Sequence, residues 1–158
     1  MASNARAELA AAQLALAKAL LDDGPVPPGF DAERVALLKG TLSHKRARSA
    51  GQAWPSLQRL LGIHFAAQFA EVVAPTPLAK EHGPLLDGLR LAEKLERERR
   101  LDVPAAAALA AVRLRYRHEG GQLVPKAGIT LSRARAKEGL ALAVRFPGLG
   151  QRVFWFKG

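Results

Sequence analysis

Three groups of side chains in this sequence have the types and spacing to do chemistry. They are a run of cations in SHKRARSAGQAW (43–54), four scattered histidines, and arginines interleaved with aromatics near residue 150. The run places His44, Lys45, Arg46 and Arg48 within five positions, ahead of Trp54. Such a cluster can grip phosphates, bridge to a partner's carboxylates, or sit solvated on a helix face. His44, His64, His82 and His118 lie 18 to 36 residues apart. None forms an i, i+4 ligand pair, an HExxH motif or a zinc-type spacing. Ser43 beside His44 is sequence adjacency, whereas a catalytic triad is a spatial arrangement with an oriented base. There is no P-loop, no GxGxxG after a strand, and no pair of carboxylates that stands apart from the charged helices. The expectation is a protein that is not an enzyme and holds neither metal nor cofactor.

The totals narrow the partner. At 158 residues the chain is one domain or two small ones, long enough to bury a core without staples. Cysteine is absent, which removes disulfides and thiolate sites and fits a cytoplasmic location. The opening MASNARAELAAAQLALAKALLDD is interrupted by Arg6, Glu8 and Lys18, so neither a signal peptide nor a membrane span is expected. The net charge of +10 is uneven. From Arg113 onward seven Arg and three Lys face only Glu119 and Glu138, a net +8, which leaves +2 for the first 112 residues. The attraction for an anionic partner therefore lies in the C-terminal part.

The elements that must position these groups are helices first and strands last. A helix is expected from Arg6 to Leu21, stopped by the acids, glycine and prolines of DDGPVPPGFD. Asp31 is a suitable N-cap for a second helix over residues 32–53. Winding at about 100° per residue puts Val35, Leu38, Leu42, Ser49 and Ala53 on one stripe, Lys45 and Arg46 on its shoulders, and His44 and Arg48 opposite. That placement predicts that Arg46→Ala weakens stability or complex formation and that Arg48→Ala does little. Trp54-Pro55 ends the helix. A short turn to Leu61 and a helix over Ile63–Val73 follow, with Trp54, Leu57, Leu60, Leu61, Phe65, Phe69 and Val72 as core. Residues 83–100 read as a leucine-faced helix ending in the solvated run EKLERERR. Asp102 and Pro104 start another helix to about Tyr116, capped by Gly120-Gly121.

Beyond residue 128 the hydrophobic period changes from 3.6 to 2. ITLSRAR (129–135), LALAVRF (140–146) and RVFWFK (152–157), separated by AKEG and PGLGQ turns, predict a three-stranded antiparallel meander. A short strand at Gln122 to Val124 would make a fourth. The fold class is α+β: an N-terminal helical bundle, residues 1–74, a connecting helical segment, 75–102, and a helix plus basic three- to four-stranded sheet, 103–158. An exposed sheet edge invites another strand. Arg133, Arg135, Arg145 and Arg152 would hold acidic side chains of an extended peptide, with Phe154, Trp155 and Phe156 packed along the last strand. Helices followed by a hairpin also describe a winged-helix nucleic-acid binder. AAALAAVRLRYR, however, offers no Asn or Gln for base readout, so nucleic acid is the second choice of partner.

Two stretches carry a family resemblance. GPVPPGFDAERVALLKGTLSHKRARSAGQAWPSLQRLLG, with its PPGFD turn, KRAR cluster and WP, resembles the small partner proteins of multinuclear non-haem iron-dependent oxidases. LRYRHEGGQLVPKAGITLSRAR and GLALAVRFPGLGQRV resemble the C-terminal module found beside or fused to such oxidases in actinobacteria. The resemblance implies a non-catalytic partner in maturation of a ribosomally synthesised, modified peptide. The oxidase would hold the iron, and the partner would bind both the oxidase and the precursor's leader peptide, the latter in part by strand addition. The leader would meet the strands around Arg133, Leu142 to Phe146 and Val153 to Phe156, while His44, Lys45 and Arg46 would face the oxidase or brace the two halves.

Overall fold

The computed structural model describes residues 2–21, 24–79 and 81–157. Among the described residues six helices precede the strands: α1 (Ala2–Leu21), α2 (Ala32–Ala53), α3 (Pro55–Leu61), α4 (Phe65–Val72), α5 (Gly83–Arg97) and α6 (Val103–Arg115), with one 3-10 turn at Gly62–His64. Of these, α5 and α6 pack against the strands. The fold is α+β, as expected. Local chemistry sets the helix ends. The Asp31 carboxylate accepts from the N–H groups of Glu33 and Arg34, and Asp102 accepts from that of Ala105, satisfying donors that a helix start leaves unpaired. Pro55, Pro84 and Pro104 lie in first turns, where a missing N–H costs nothing.

Two sheets follow. A hairpin pairs β1 (Tyr116–Glu119) with β2 (Gln122–Pro125), and a meander orders β3 (Thr130–Ala136), β4 (Gly139–Phe146) and β5 (Gly150–Lys157) side by side. The strand at Gln122 thus forms, but it joins β1 and not the meander. Gly120-Gly121 is the hairpin turn between β1 and β2 and not a helix cap. Both glycines have positive φ (55° and 76°), which the mirror-image turns of two-residue hairpins require. Tyr116 both closes α6, its N–H donating to the Val112 carbonyl, and opens β1.

A single contiguous core runs from Ala47 through Trp54, Leu57, Phe69, the leucines of α5 and α6, and on to Ala143. Its two halves differ in grain. Around α2 to α5 the core is Trp54, Phe65, Phe69 and leucines. Between α6 and the meander it is largely alanine: Ala105, Ala106 and Ala110 of α6 against Ala134, Ala136, Ala141 and Ala143. Small side chains on both surfaces let helix and sheet approach closely.

Candidate functional site

The faces of the meander follow from its register. Leu131 pairs with Val144, Arg133 with Leu142 and Arg135 with Leu140. Those β4 residues pair in turn with Arg152, Phe154 and Phe156. Alternation along each strand puts all of them on one side. The alanines occupy the other side, against α6. The larger apolar groups therefore point outward. Leu131, Phe154 and Phe156 are 67 %, 49 % and 53 % exposed, and Leu140, Leu142 and Val144 are half-buried between them. Arg133, Arg135 and Arg152 are exposed on the same face. Arg145 departs from the expected group. It is partly buried on the helix side, where its Nη1 donates to the Lys126 carbonyl at 3.2 Å. Trp155 also packs inward, against the core.

The two edges of the meander are unequal. The Arg135 N–H donates to Glu96 Oε1 at 2.7 Å, and Arg113 Nη1 donates to the Arg133 carbonyl at 3.3 Å. Arg113 is itself held by Glu93 at 3.2 Å and Glu96 at 2.7 Å, so α5 and α6 close the β3 edge with side chains. Neither Glu96 nor Arg113 was legible as an edge cap, because charged helix ends are usually just solvated. Those outward backbone groups on Arg133 and Arg135 also fix the alternation. Leu140, Leu142 and Val144 turn their backbone groups toward β5. Phe154 and Phe156 turn theirs toward β4, and Val153 and Trp155 turn theirs away from it. Among the described residues no strand pairs with that outer edge of β5. An arginine-rimmed apolar face therefore adjoins an unpaired strand edge.

The cation run of α2 divides differently. His44, Lys45 and Arg48 are exposed. Arg46 is turned inward: its Nε and Nη2 donate to the two oxygens of Asp87 at 2.6 and 2.8 Å, and its Nη1 donates to the Thr76 carbonyl at 2.8 Å. Asp87 is wholly buried in α5, and Arg90 Nη1 lies 3.5 Å from its Oδ1, the oxygen that Arg46 Nη2 also contacts. Burial pushes the Arg90 guanidinium below its usual range, Asp87 opposes that, and Arg46 adds to it. An acid between Leu86 and Gly88 on an otherwise apolar helix face, three residues before Arg90, was the readable signal for this centre.

The expected apolar stripe of α2 is only partly inward. Val35 is buried, whereas Leu38 and Leu42 are exposed. The buried side, turned by about 130°, is Ala47, Ala50 and Gly51 leading to Trp54. Trp54 donates Nε1–H to the Leu85 carbonyl at 3.0 Å and lies so close to α5 that a Cβ on Gly88 would stand 2.0 Å from its Cδ1. Small residues dominate that side because α2 and α5 cross closely. Among the described residues no group of three His, Asp or Glu could hold a metal ion, and no helix is long and apolar enough to cross a membrane.

A family model described as SCO6045-like, C-terminal domain, matches residues 10–97, more than half of the chain. The chain belongs to that family. The SCO6045-like segment runs from within α1 to the last residue of α5, so it contains the Arg46–Asp87–Arg90 centre and leaves the arginine-rimmed sheet outside it. The chain has no match among curated proteins or solved structures.

Proposed function

We propose that the chain is a non-catalytic partner subunit. It binds an extended, acidic leader segment of a precursor peptide along β5, and it engages an iron-dependent oxidase during maturation of a ribosomally made, modified peptide. The observation that carries the peptide half is the meander's outward face: Phe154 and Phe156 exposed, Leu140 and Leu142 half-buried beside them, Arg133, Arg135 and Arg152 around them, and the β5 edge unpaired among the described residues. An added strand would gain main-chain hydrogen bonds from Val153 and Trp155 and place alternate side chains over the phenylalanines. Acidic side chains at its margins would meet guanidinium groups. The oxidase half rests on the sequence resemblance and on the exposed His44 and Lys45 of α2. Arg46 serves inside the chain and supports that surface from below.

The test is affinity purification of the tagged full chain from host cells, with bound material identified by mass spectrometry, alongside a Val153→Pro variant. The Val153 N–H points away from β4, so proline there leaves the β4–β5 ladder intact and removes an edge donor. Recovery of an iron-dependent oxidase with a short peptide, the peptide being lost from Val153→Pro, is the expected result. Recovery of nucleic acid released log-linearly by salt, without such an oxidase, would overturn the reading.

A further inference from the structure

A groove of about 540 Å³ opens between α1, α2 and the stretch carrying Pro75, Leu78 and Pro84. That volume is in the range of small-molecule sites, roughly 300–1,000 Å³. Leu20, Leu21, Leu42, Pro75 and Leu78 form its apolar walls, and Leu21, Leu42 and Leu78 remain 43 %, 38 % and 48 % exposed. Among the described residues the lining contains no aromatic ring and so no platform for a stacked base. The charged groups in its lining, among the described residues, are Lys39, Lys45, Arg46 and Asp87, and Arg46 and Arg90 already share the Asp87 carboxylate.

The cations contribute in different ways. Arg46 is engaged through Nε, Nη1 and Nη2 with Asp87, Thr76 and Pro77, so it contributes mainly charge to the groove. Lys45 is exposed and, among the described residues, makes no ion pair or hydrogen bond. Ser49, also in the lining, lies one helical turn further along the same side of α2. One ammonium and one hydroxyl at the rim, with leucines and prolines behind, match one negative charge on an aliphatic tail.

We infer that this groove binds an aliphatic monocarboxylate, its head on Lys45 and Ser49 and its chain along Leu42, Leu20 and Leu78. The groove shares no residue with the meander face, so the inference stands independently of peptide binding.

The experiment is isothermal titration of the full chain with sodium decanoate below its micellar concentration, and with decyltrimethylammonium as a tail of equal length and opposite charge. Decanoate should bind saturably at one site and decyltrimethylammonium should not. Lys45→Glu and Leu42→Asp, both at exposed positions, should each weaken decanoate by about tenfold or more, and Arg48→Ala should leave it unchanged. Circular dichroism of each variant separates lost binding from lost folding. Absence of saturable decanoate binding, equal binding of the two amphiphiles, or unchanged affinity in a folded Lys45→Glu variant would each overturn the inference.

Discussion

Arg46 in α2 and Arg133 in β3 carry the same side chain under opposite conditions. Arg46 is folded onto a carboxylate with no exposure, with Thr76 taking another of its donors. Arg133 is exposed, and it is its carbonyl, not its guanidinium, that makes the contact with Arg113. The first sits where water cannot replace its partner, so its removal is felt in folding. The second gives up little when truncated, and its charge is available to another molecule. Abundant arginine in one chain thus does two kinds of work, and burial decides which.

The comparison can be broken most severely at Asp87. Asp87→Ala leaves Arg46 and Arg90 facing each other without an anion, and urea denaturation should show a loss of about 3–5 kcal/mol. Arg46→Ala leaves Asp87 still beside Arg90, so about 2–3 kcal/mol is expected from the same measurement. A larger loss from Arg46→Ala than from Asp87→Ala would refute the shared-carboxylate account. The two faces of the meander offer the next contrast. Ala141→Leu overfills the seam with α6 and should cost about 1–3 kcal/mol, whereas Leu131→Ala on the outward side should stay within about 0.5 kcal/mol in thermal unfolding. Smallest of all, Arg48→Ala and Arg133→Ala should each shift stability by no more than about 0.5 kcal/mol. Of these two, only Arg133→Ala should lower the affinity for an acidic peptide measured by fluorescence anisotropy. Equal losses from Arg46→Ala and Arg48→Ala would erase the distinction between the inner and outer sides of α2.

Where the fold was readable, strong local signals agreed with one another. The bounds of α2 follow from the Asp31 cap and Trp54-Pro55, and the meander follows from period-two alternation broken by glycine turns. What escaped was which side faces in. Hydrophobicity pointed to Leu38 and Leu42 in α2, and in β4 the larger apolar residues Leu140, Leu142, Val144 and Phe146 alternate with Ala141, Ala143 and Arg145. Both interfaces instead place alanine or glycine at the close approaches, Ala134, Ala136, Ala141 and Ala143 on the α6 side of the meander and Gly88 under Trp54, because closely packed elements exclude large side chains there. Leucine and phenylalanine are left for solvent or for another molecule. Of the candidate site, Arg133, Arg135, Arg152, Phe154 and Phe156 do share a face. Arg145 does not, because its position in the β4 alternation puts it with Ala141 and Ala143. Glu96 and Arg113, which close one edge, come from helices whose docking against β3 no local pattern announces.

The outward face also governs how the protein meets its own copies. Two such sheets laid against each other would hide Phe154 and Phe156 together, but they would set Arg133, Arg135 and Arg152 against like charges. Repulsion of this kind would disfavour self-pairing and leave the face open to the acidic strand proposed above. Salt weakens both effects at once, since fields fade within about 10 Å at 0.1 M. Raising ionic strength should therefore loosen an acidic strand while promoting self-association, two opposite trends that sedimentation velocity and anisotropy would record on the same sample.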